Sequence, residues 1–127
     1  MATRTFTFDT SSDYAPVTDL VVNVGASFTC SYTVNTVSGS AFDFTGFSST
    51  CSAQMAKYVG TAATATFNVG FSSEYDGKFY IGLTSTQTDA LTEGRYVYDV
   101  NVKSGVGTVY RLVEGQIVVK GGISSTL

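Results

Sequence analysis

The sequence predicts an all-β fold, a two-sheet β-sandwich of about eight strands, and three observations lead to it. Apolar residues recur at every second position in about eight segments, which is the pattern of a strand with one buried face. Turn-forming residues separate these segments at intervals of roughly 8–12 residues. Only residues 84–91 are typical of a helix, and they would form about two turns. This combination favours a sandwich, with a closed barrel as the alternative.

Each predicted strand is defined by residues at every second position that share one face. Gly115 interrupts the alternation of the last strand, so we expect a β-bulge at Glu114 and Gly115. In chain order the expected faces are Phe6 and Phe8; Leu20, Val22 and Val24; Phe28, Cys30, Tyr32 and Val34; Phe47, Cys51, Ala53 and Met55; Ala63, Ala65, Phe67 and Val69; Phe79, Ile81 and Leu83; Tyr96, Tyr98, Val100 and Val102; Val109, Arg111 and Val113, continued by Ile117 and Val119.

Turn signals lie between the strands. Asp76 and Gly77 give a strong hairpin signal, and Gly46 is expected to take a positive φ in its turn. No linker divides the chain, so residues 1–127 are predicted to form one domain with short flexible ends at about 1–4 and 121–127. The turns are expected at residues 23–27, 37–40, 43–47, 74–78 and 103–107.

The composition predicts a weakly charged surface. Charged residues make up 13% of the chain, against a usual share of about 25%, and the formal net charge is −3. Such a surface suits a protein that is covered by partners, so we expect assembly in multiple copies. The sequence has no basic stripe, so we do not expect nucleic-acid binding. No apolar run approaches the ~18 residues of a membrane helix. The N-terminus lacks an apolar signal core, so we expect synthesis in a cytoplasm.

No catalytic, cofactor or metal site is predicted, and we expect no enzymatic activity. The chain has no His, which excludes Ser–His–Asp and Cys–His catalysis. Glu74 and Asp76 are best explained by a hairpin turn, and a calcium loop would need more acids. Cys30 and Cys51 are interpreted as small buried core residues. A disulfide stays open if their strands face each other, and a metal would need further soft ligands.

A candidate structural corner consists of Leu91, Gly94, Tyr96 and Tyr98. In immunoglobulin-like sandwiches a tyrosine near the start of a late strand bonds the backbone a few residues upstream. Tyr96 has this position, and Tyr98 lies where antibody domains keep their second cysteine. We therefore interpret Tyr96 as a corner and Tyr98 as a core residue, and we predict an immunoglobulin-like sandwich.

Three motifs in this order carry a family resemblance: FDFTGF, YIGLTSTQTDALTEGRYVYDVNV and GTVYRLVEGQIVV. Over about residues 27–120 the sequence resembles the immunoglobulin-like domains of tailed-bacteriophage virion proteins. It is similar in particular to the N-terminal domain of upper-baseplate and tail-fibre proteins. The matching residues are Asp43, Phe44, Thr45 and Gly46; Leu83, Thr84, Leu91, Gly94, Tyr96, Tyr98 and Asp99; and Leu112, Glu114, Gly115 and Val118.

The resemblance implies a structural protein of the virion, made in the host cytoplasm and docked to other virion proteins of the tail, baseplate, neck or capsid exterior. Members of that family often continue into a fibre or receptor-binding region. Because this chain stops before such a region, we expect a small accessory piece, such as a capsid decoration or a tail component.

Outward-facing tyrosines leave a second function open. Tyr75, Tyr80 and Tyr110 are expected to lie opposite the core positions, where they could anchor an interface in an assembled particle. The same rings could stack on sugars if the domain were a carbohydrate-binding or host-adhesion module. Arg4, Arg95, Lys103 and Arg111 are interpreted as ordinary outward charges that protect the edges of the sheets.

Overall fold

A computed structural model describes residues 3–9, 11, 15–45 and 51–121 of the 127-residue chain. Within these residues nine strands form two sheets, with one short helix, and the predicted all-β sandwich is confirmed. The elements are β1 (Thr3–Thr7), β2 (Leu20–Asn23), β3 (Phe28–Asn35), β4 (Cys51–Ala56), β5 (Ala63–Thr66), β6 (Asn68–Ser73), β7 (Lys78–Leu83), α1 (Ser85–Asp89), β8 (Gly94–Lys103) and β9 (Val109–Lys120).

The strands are divided into a four-stranded sheet, β1-β3-β7-β6, and a five-stranded sheet, β2-β9-β8-β4-β5. Neighbouring strands are antiparallel except β1 with β3 and β2 with β9, which are parallel pairs. Both parallel pairs involve an edge strand. Among the described strands the chain changes sheets five times, between β1 and β2, β2 and β3, β3 and β4, β5 and β6, and β7 and β8.

The crossing between β5 and β6 corrects one strand assignment. Alternation over residues 63–69 predicted one strand, but the chain forms β5 in one sheet and β6 in the other. Phe67 lies between the two strands and is buried in the core, while its amide still bonds to the Ala53 carbonyl of β4 at 2.8 Å. A ring buried between the sheets lets the chain change sheets without breaking the period of two.

The core lies between the sheets and collects the inward residues of both. Burying each large apolar side chain of this kind contributes about 1.5–3 kcal/mol to stability. The alternation predicted most of these positions, among them Phe6, Phe8, Leu20, Val22, Cys30, Tyr32, Val34, Ala53, Met55, Phe79, Ile81, Leu83, Val100, Val102, Ile117 and Val119.

The bulge of β9 lies two residues before the expected place. Val100 pairs with Val113 and Asn101 with Arg111, so Leu112 is the extra residue. Leu112 and Val113 are both fully buried, whereas Arg111 is exposed. The predicted bulge at Glu114 and Gly115 is therefore wrong, and so is the prediction that Val109 and Arg111 share a face with Val113.

The glycine at position 115 is explained by a close approach of two backbone segments, not by a bulge. A Cβ at this position would overlap the Thr18 carbonyl of the segment that leads into β2. That segment docks on β9 through two backbone hydrogen bonds, Thr18 N–H to the Glu114 carbonyl at 2.9 Å and Glu114 N–H to the Pro16 carbonyl at 3.0 Å. A glycine inside a strand can mark such a close backbone approach as well as a bulge.

The turns that connect the strands hold the positive-φ glycines. Gly77, with φ +69°, closes the expected hairpin between β6 and β7. The turn at residues 43–47 begins with an Asp43 carboxylate that accepts the Thr45 amide at 2.9 Å, while Gly46 and Phe47 lie outside the described residues. β1 begins at Thr3, inside the expected flexible end, and the expected C-terminal end after residue 121 also lies outside them.

The single short helix lies where the sequence predicted it. Thr84 caps its N-terminus and exchanges hydrogen bonds with Gln87 in a capping box. Thr88 is buried, and its hydroxyl bonds to the Ala26 carbonyl at 2.9 Å. This contact fixes the helix against the loop between β2 and β3, just before the chain enters β8.

Candidate interaction surface

The inner side of β8 begins with the predicted corner. The Tyr96 hydroxyl donates a hydrogen bond of 2.7 Å to the Thr92 carbonyl, four residues upstream. Leu91 is buried before it, and Gly94 takes a φ of +150°, which favours glycine. The Lys57 ammonium lies 4.8 Å from the centre of the Tyr96 ring, close enough for a cation–π contact. This hydrogen bond and these contacts fix the entry of β8 into the sheet.

Tyr98 links the two sheets through a buried hydrogen-bond network. Its hydroxyl donates to the Thr18 carbonyl at 2.7 Å and lies 2.6 Å from the Thr18 hydroxyl and 3.0 Å from the Tyr32 hydroxyl of β3. Because a phenol has one proton to donate, the Thr18 and Tyr32 hydroxyls must donate to Tyr98. Burial raises the pKa of both Tyr32 and Tyr98 above the ordinary value of 10.0. In this network both phenol groups stay neutral and their hydroxyls are hydrogen-bonded.

The outer side of β8 and β9 carries a different set of side chains, because successive residues of a strand point to opposite faces. Val97, Asp99 and Asn101 alternate with the buried tyrosines and valines of β8. Across the pairing with β9, Asp99 lies directly opposite Glu114, and Asn101 lies opposite Arg111. The bulge at Leu112 turns Arg111 outward, so that it joins the two acids on this face.

A groove of about 470 Å³ runs over this face. We call it the outer groove, with a floor that includes Gln54, Val97 and Asp99, one wall formed by Val17 with Arg111 and Glu114, and another formed by residues 58–61. Residues 58–61 belong to the connection between β4 and β5, and Val17 belongs to the segment that docks on β9. The outer groove therefore depends on segments far apart in the sequence.

The charges of the outer groove form one small group. The Arg111 guanidinium lies 3.6 Å from an oxygen of Asp99 and 3.6 Å from an oxygen of Glu114. Like charges directly opposite each other on neighbouring strands repel, and Arg111 offsets this repulsion. All three side chains are well exposed, so each ion pair contributes only about 0.2–1 kcal/mol.

The rim of the outer groove is apolar and exposed. Val17 is 68%, Tyr58 66% and Val59 89% exposed, which makes them three of the most exposed large apolar side chains among the described residues. Scattered exposed apolar residues are common, but three around one concave surface are typical of an interaction site.

The three predicted interface tyrosines have different environments. Tyr75, in the turn before β7, is 68% exposed, and Tyr80 is 40% exposed on the outer face of the four-stranded sheet, where it pairs across the strands with Gly70. Tyr110 lies on β9 opposite the buried Val102 and packs edge-on against Phe8 at 5.8 Å. The fold thus separates Tyr110 from the exposed pair.

The cysteines are free thiols in different sheets. Cys30 is buried on β3, and Cys51 is half-buried on β4. Burial raises the pKa of Cys51 to about 11 and raises that of Cys30 as well. Within the described residues, no group of three or more His, Cys, Asp or Glu side chains could hold a metal ion. Nor is any helix in that part of the chain long and apolar enough to cross a membrane.

Similarity to known proteins is found in the fold of this chain and not in its sequence. No family model and no curated protein matches the sequence. The N-terminal domain of phage TP901-1 ORF48 matches with a TM-score of 0.56 at 11% identity, over 94% of this chain and 99% of that one. CopC from Methylosinus trichosporium OB3b gives 0.46 at 12%, over 87% and 89% of the two chains. The SrpA adhesin R347E mutant from Streptococcus sanguinis gives 0.47 at 10%, over 80% and 54%. The first likeness shows a shared fold, and the other two are too distant to support an argument.

The sequence did not reveal the outer groove. Its lining comes from residues 17, 54–56, 58–61, 63, 97–99, 111, 114 and 115, which meet only once β4, β8 and β9 are paired in register. The sequence indicates only that Arg111 is an ordinary outward charge that protects the edge of a sheet. A signal existed in the two acids, Asp99 and Glu114, whose positions on neighbouring strands of a hairpin could have been aligned. The bulge between them changes that alignment.

Proposed function

We propose that this chain is a non-enzymatic structural component of a tailed-phage virion, an immunoglobulin-like accessory protein that docks to neighbouring subunits. The tail or baseplate is the favoured position, and the neck or capsid exterior is the next. The observation that carries the proposal is the likeness to a phage domain over almost the whole of both chains, 94% and 99%. It agrees with the resemblance of the sequence motifs to virion proteins of tailed phages.

The strand order supports the immunoglobulin-like part of the proposal. Strands β3-β7-β6 and β9-β8-β4 follow the B-E-D and G-F-C orders of such domains. The Tyr96 hydroxyl bonds to the Thr92 carbonyl as a tyrosine corner requires. β1 departs from that pattern because it runs parallel to β3. The Tyr32–Tyr98 hydrogen bond joins strands B and F, which antibody domains join with a disulfide.

The mechanism proposed is passive docking through the outer groove, in several copies around a symmetric assembly. The outer edge of β5 is a weaker candidate for docking, because Gln87 already donates its side-chain amide to the Thr66 carbonyl at 3.3 Å. The Phe67 amide points to β4, so the Thr66 carbonyl points to the open edge that another strand would need. Covering an edge in this way opposes pairing with a further chain.

Carbohydrate binding is the alternative function, and it expects one exposed cluster of Tyr75, Tyr80 and Tyr110. Tyr110 packs against Phe8 and is half-buried, which leaves two of the three rings on the surface. The structural role is therefore the better supported of the two.

The test is a search for the chain in purified particles. Phage particles from cells that carry the gene are purified on a density gradient, washed in high salt and digested for quantitative mass spectrometry. We expect peptides of this chain at a fixed ratio to the known structural proteins, and no turnover in screens of hydrolytic activity. Particles that contain none of the chain, or a clear hydrolytic activity, would overturn the proposal.

A further inference from the structure

The outer groove carries an unbalanced charge. Asp99 and Glu114 face each other across β8 and β9, and Arg111 is the cation that contacts both. Two carboxylates and one guanidinium leave a net charge of −1 in the part of the groove that these side chains line. Among the residues that the structure describes, no other charged side chain lines the groove. A partner that brings one positive charge would neutralise this site.

The contacts of Arg111 leave bonding capacity on both acids. Each distance is 3.6 Å, which is longer than a hydrogen bond, and each involves one oxygen of the carboxylate. An ionised carboxylate can accept about four hydrogen bonds. A second planar donor could therefore bond to Asp99 and Glu114 without displacing Arg111.

The rim suits the rest of a basic side chain. Tyr58 offers an exposed ring for a cation–π contact, and Val17 and Val59 offer apolar surface for an alkyl stem. Arginine fits this arrangement better than lysine, because its planar fork bonds carboxylates in pairs and stacks on aromatic rings.

A second copy of this chain is a poor occupant for the same groove. A two-fold contact places one patch against its own copy. Two copies of the outer groove would bring together a net charge of −2, so neither copy neutralises the excess negative charge of the other. The net charge of −3 over the whole chain acts in the same direction.

We infer that the outer groove is the docking site for an arginine side chain projected by a neighbouring virion protein. The inference rests on the proposed structural role and names the chemistry of the partner. Asp99 and Glu114 bind the guanidinium, Tyr58 covers it, and Arg111 limits how much positive charge the groove accepts.

The first experiment is an NMR titration of the intact, isotope-labelled protein. The probe is N-acetyl-arginine methylamide, and the matched control probe is the citrulline analogue, which has nearly the same shape and no charge. We expect arginine to shift the backbone amides of Val97, Asp99, Glu114 and residues 58–61, with a Kd on the order of 10 mM, and citrulline to leave them in place. Shifts that are equal for both probes, or that lie elsewhere, would overturn the inference.

Three variants should change the affinity for arginine, two of them lowering it and one raising it. Asp99→Asn and Glu114→Gln should each weaken arginine binding about fivefold, since each removes one exposed charge pair. Arg111→Gln should strengthen it by a similar factor, because it removes the competing cation. The control Asp89→Asn/Glu93→Gln changes two exposed acids outside the groove and should leave the affinity unchanged. An Arg111→Gln protein that binds arginine more weakly than the wild type would contradict the inference, provided that its spectrum is folded.

The outcome separates this inference from the proposed function. If particles contain the chain but the groove ignores arginine, the docking chemistry is wrong and the structural role stands. If the groove binds arginine but particles contain none of the chain, the structural role is wrong. Self-association of the wild-type protein that is lost in Asp99→Asn would show that a second copy is the occupant and would overturn the inference.

Discussion

The inner and outer sides of β8 and β9 are built from alternate residues of the same two strands, yet their polar groups differ in kind. On the inner side, the hydroxyls of Tyr96 and Tyr98 are buried and hydrogen-bonded at 2.7 Å to backbone carbonyls. On the outer side, Asp99 and Glu114 are exposed and share one cation at 3.6 Å. The inner hydroxyls already form their hydrogen bonds within the fold, whereas the outer carboxylates can still accept hydrogen bonds from a partner.

Under the proposed docking role, the two sides of one hairpin would serve stability and binding separately. Buried polar groups that lose a partner cost about 1–3 kcal/mol, while exposed ion pairs cost little when they are removed. Substitutions on the inner side should therefore change stability, and substitutions on the outer side should change binding. Five substitutions or conditions test this contrast, and they follow in order of decreasing expected effect.

The largest expected effect is that of Gly115→Ala. The added Cβ overlaps the Thr18 carbonyl, so the segment that carries two backbone bonds and the Tyr98 contact must move away from β9. We expect the free energy of unfolding to fall by about 3 kcal/mol, measured by urea unfolding. Gly70→Ala is the matched control in the other sheet, where the methyl group meets only the end of the Tyr80 side chain, which can swing aside. Equal losses for both variants would contradict the close approach at Gly115.

Tyr98→Phe is expected to cost about 2 kcal/mol. It removes the hydroxyl that donates to the Thr18 carbonyl and that accepts from the Tyr32 and Thr18 hydroxyls. These groups stay buried or half-buried without that partner. The exposed Tyr80→Phe serves as the control and should change stability by less than about 0.5 kcal/mol. A Tyr98→Phe protein as stable as the control would mean that water replaces the lost bonds.

Alkaline pH should act through the same network. Because burial raises the pKa of Tyr32 and Tyr98 above 10.0, their stabilisation is complete below that pH and is lost as the pH rises above it. We expect a loss of roughly 1.4 kcal/mol per pH unit for each group. Unfolding curves at increasing pH would measure it, and the slope should become shallower in a Tyr32→Phe/Tyr98→Phe protein. An unchanged slope would show that other groups cause the loss.

Tyr96→Phe is expected to cost about 1 kcal/mol, because it removes one hydrogen bond to the Thr92 carbonyl and keeps the ring in place. Thermal unfolding at neutral pH measures the change. The Lys57 contact with the ring should survive, and a Lys57→Met control should therefore have a separate and smaller effect. A loss as large as that of Tyr98→Phe would mean that the corner controls more of the fold than one bond.

The smallest effect is expected on the outer side. Asp99→Asn/Glu114→Gln removes two exposed pairs and also removes the repulsion between the two acids, so stability should change by less than about 0.5 kcal/mol. Urea unfolding beside the Asp89→Asn/Glu93→Gln control measures this. A loss above about 1 kcal/mol would show that the outer charges belong to the fold.

The sequence predicted the buried faces well because a period of two records burial directly, as in Tyr96, Tyr98, Val100 and Val102. It also located the short helix and the residues of the corner. It did not reveal the crossing at Phe67, which preserves the alternation, or the bulge at Leu112, which shifts it. Both depend on pairing with other strands.

The outer groove could not be predicted for the same reason. By strict alternation Arg111 would share the buried face of Val113, and only the extra residue Leu112 turns it toward Asp99. The groove also needs Val17 and residues 58–61, which come from segments far apart in the chain. Long-range register, rather than local pattern, brings these groups together.

The central claim is that neighbouring subunits bind the outer face of β8 and β9, and its most direct test is incorporation into particles. Cells that produce the phage are supplied with the wild-type chain, with Asp99→Asn/Glu114→Gln, or with Asp89→Asn/Glu93→Gln, and the bound fraction is measured by quantitative mass spectrometry of washed particles. We expect the groove variant to fall at least about fivefold below the wild type and the control to equal it. Equal incorporation of all three chains would contradict the claim.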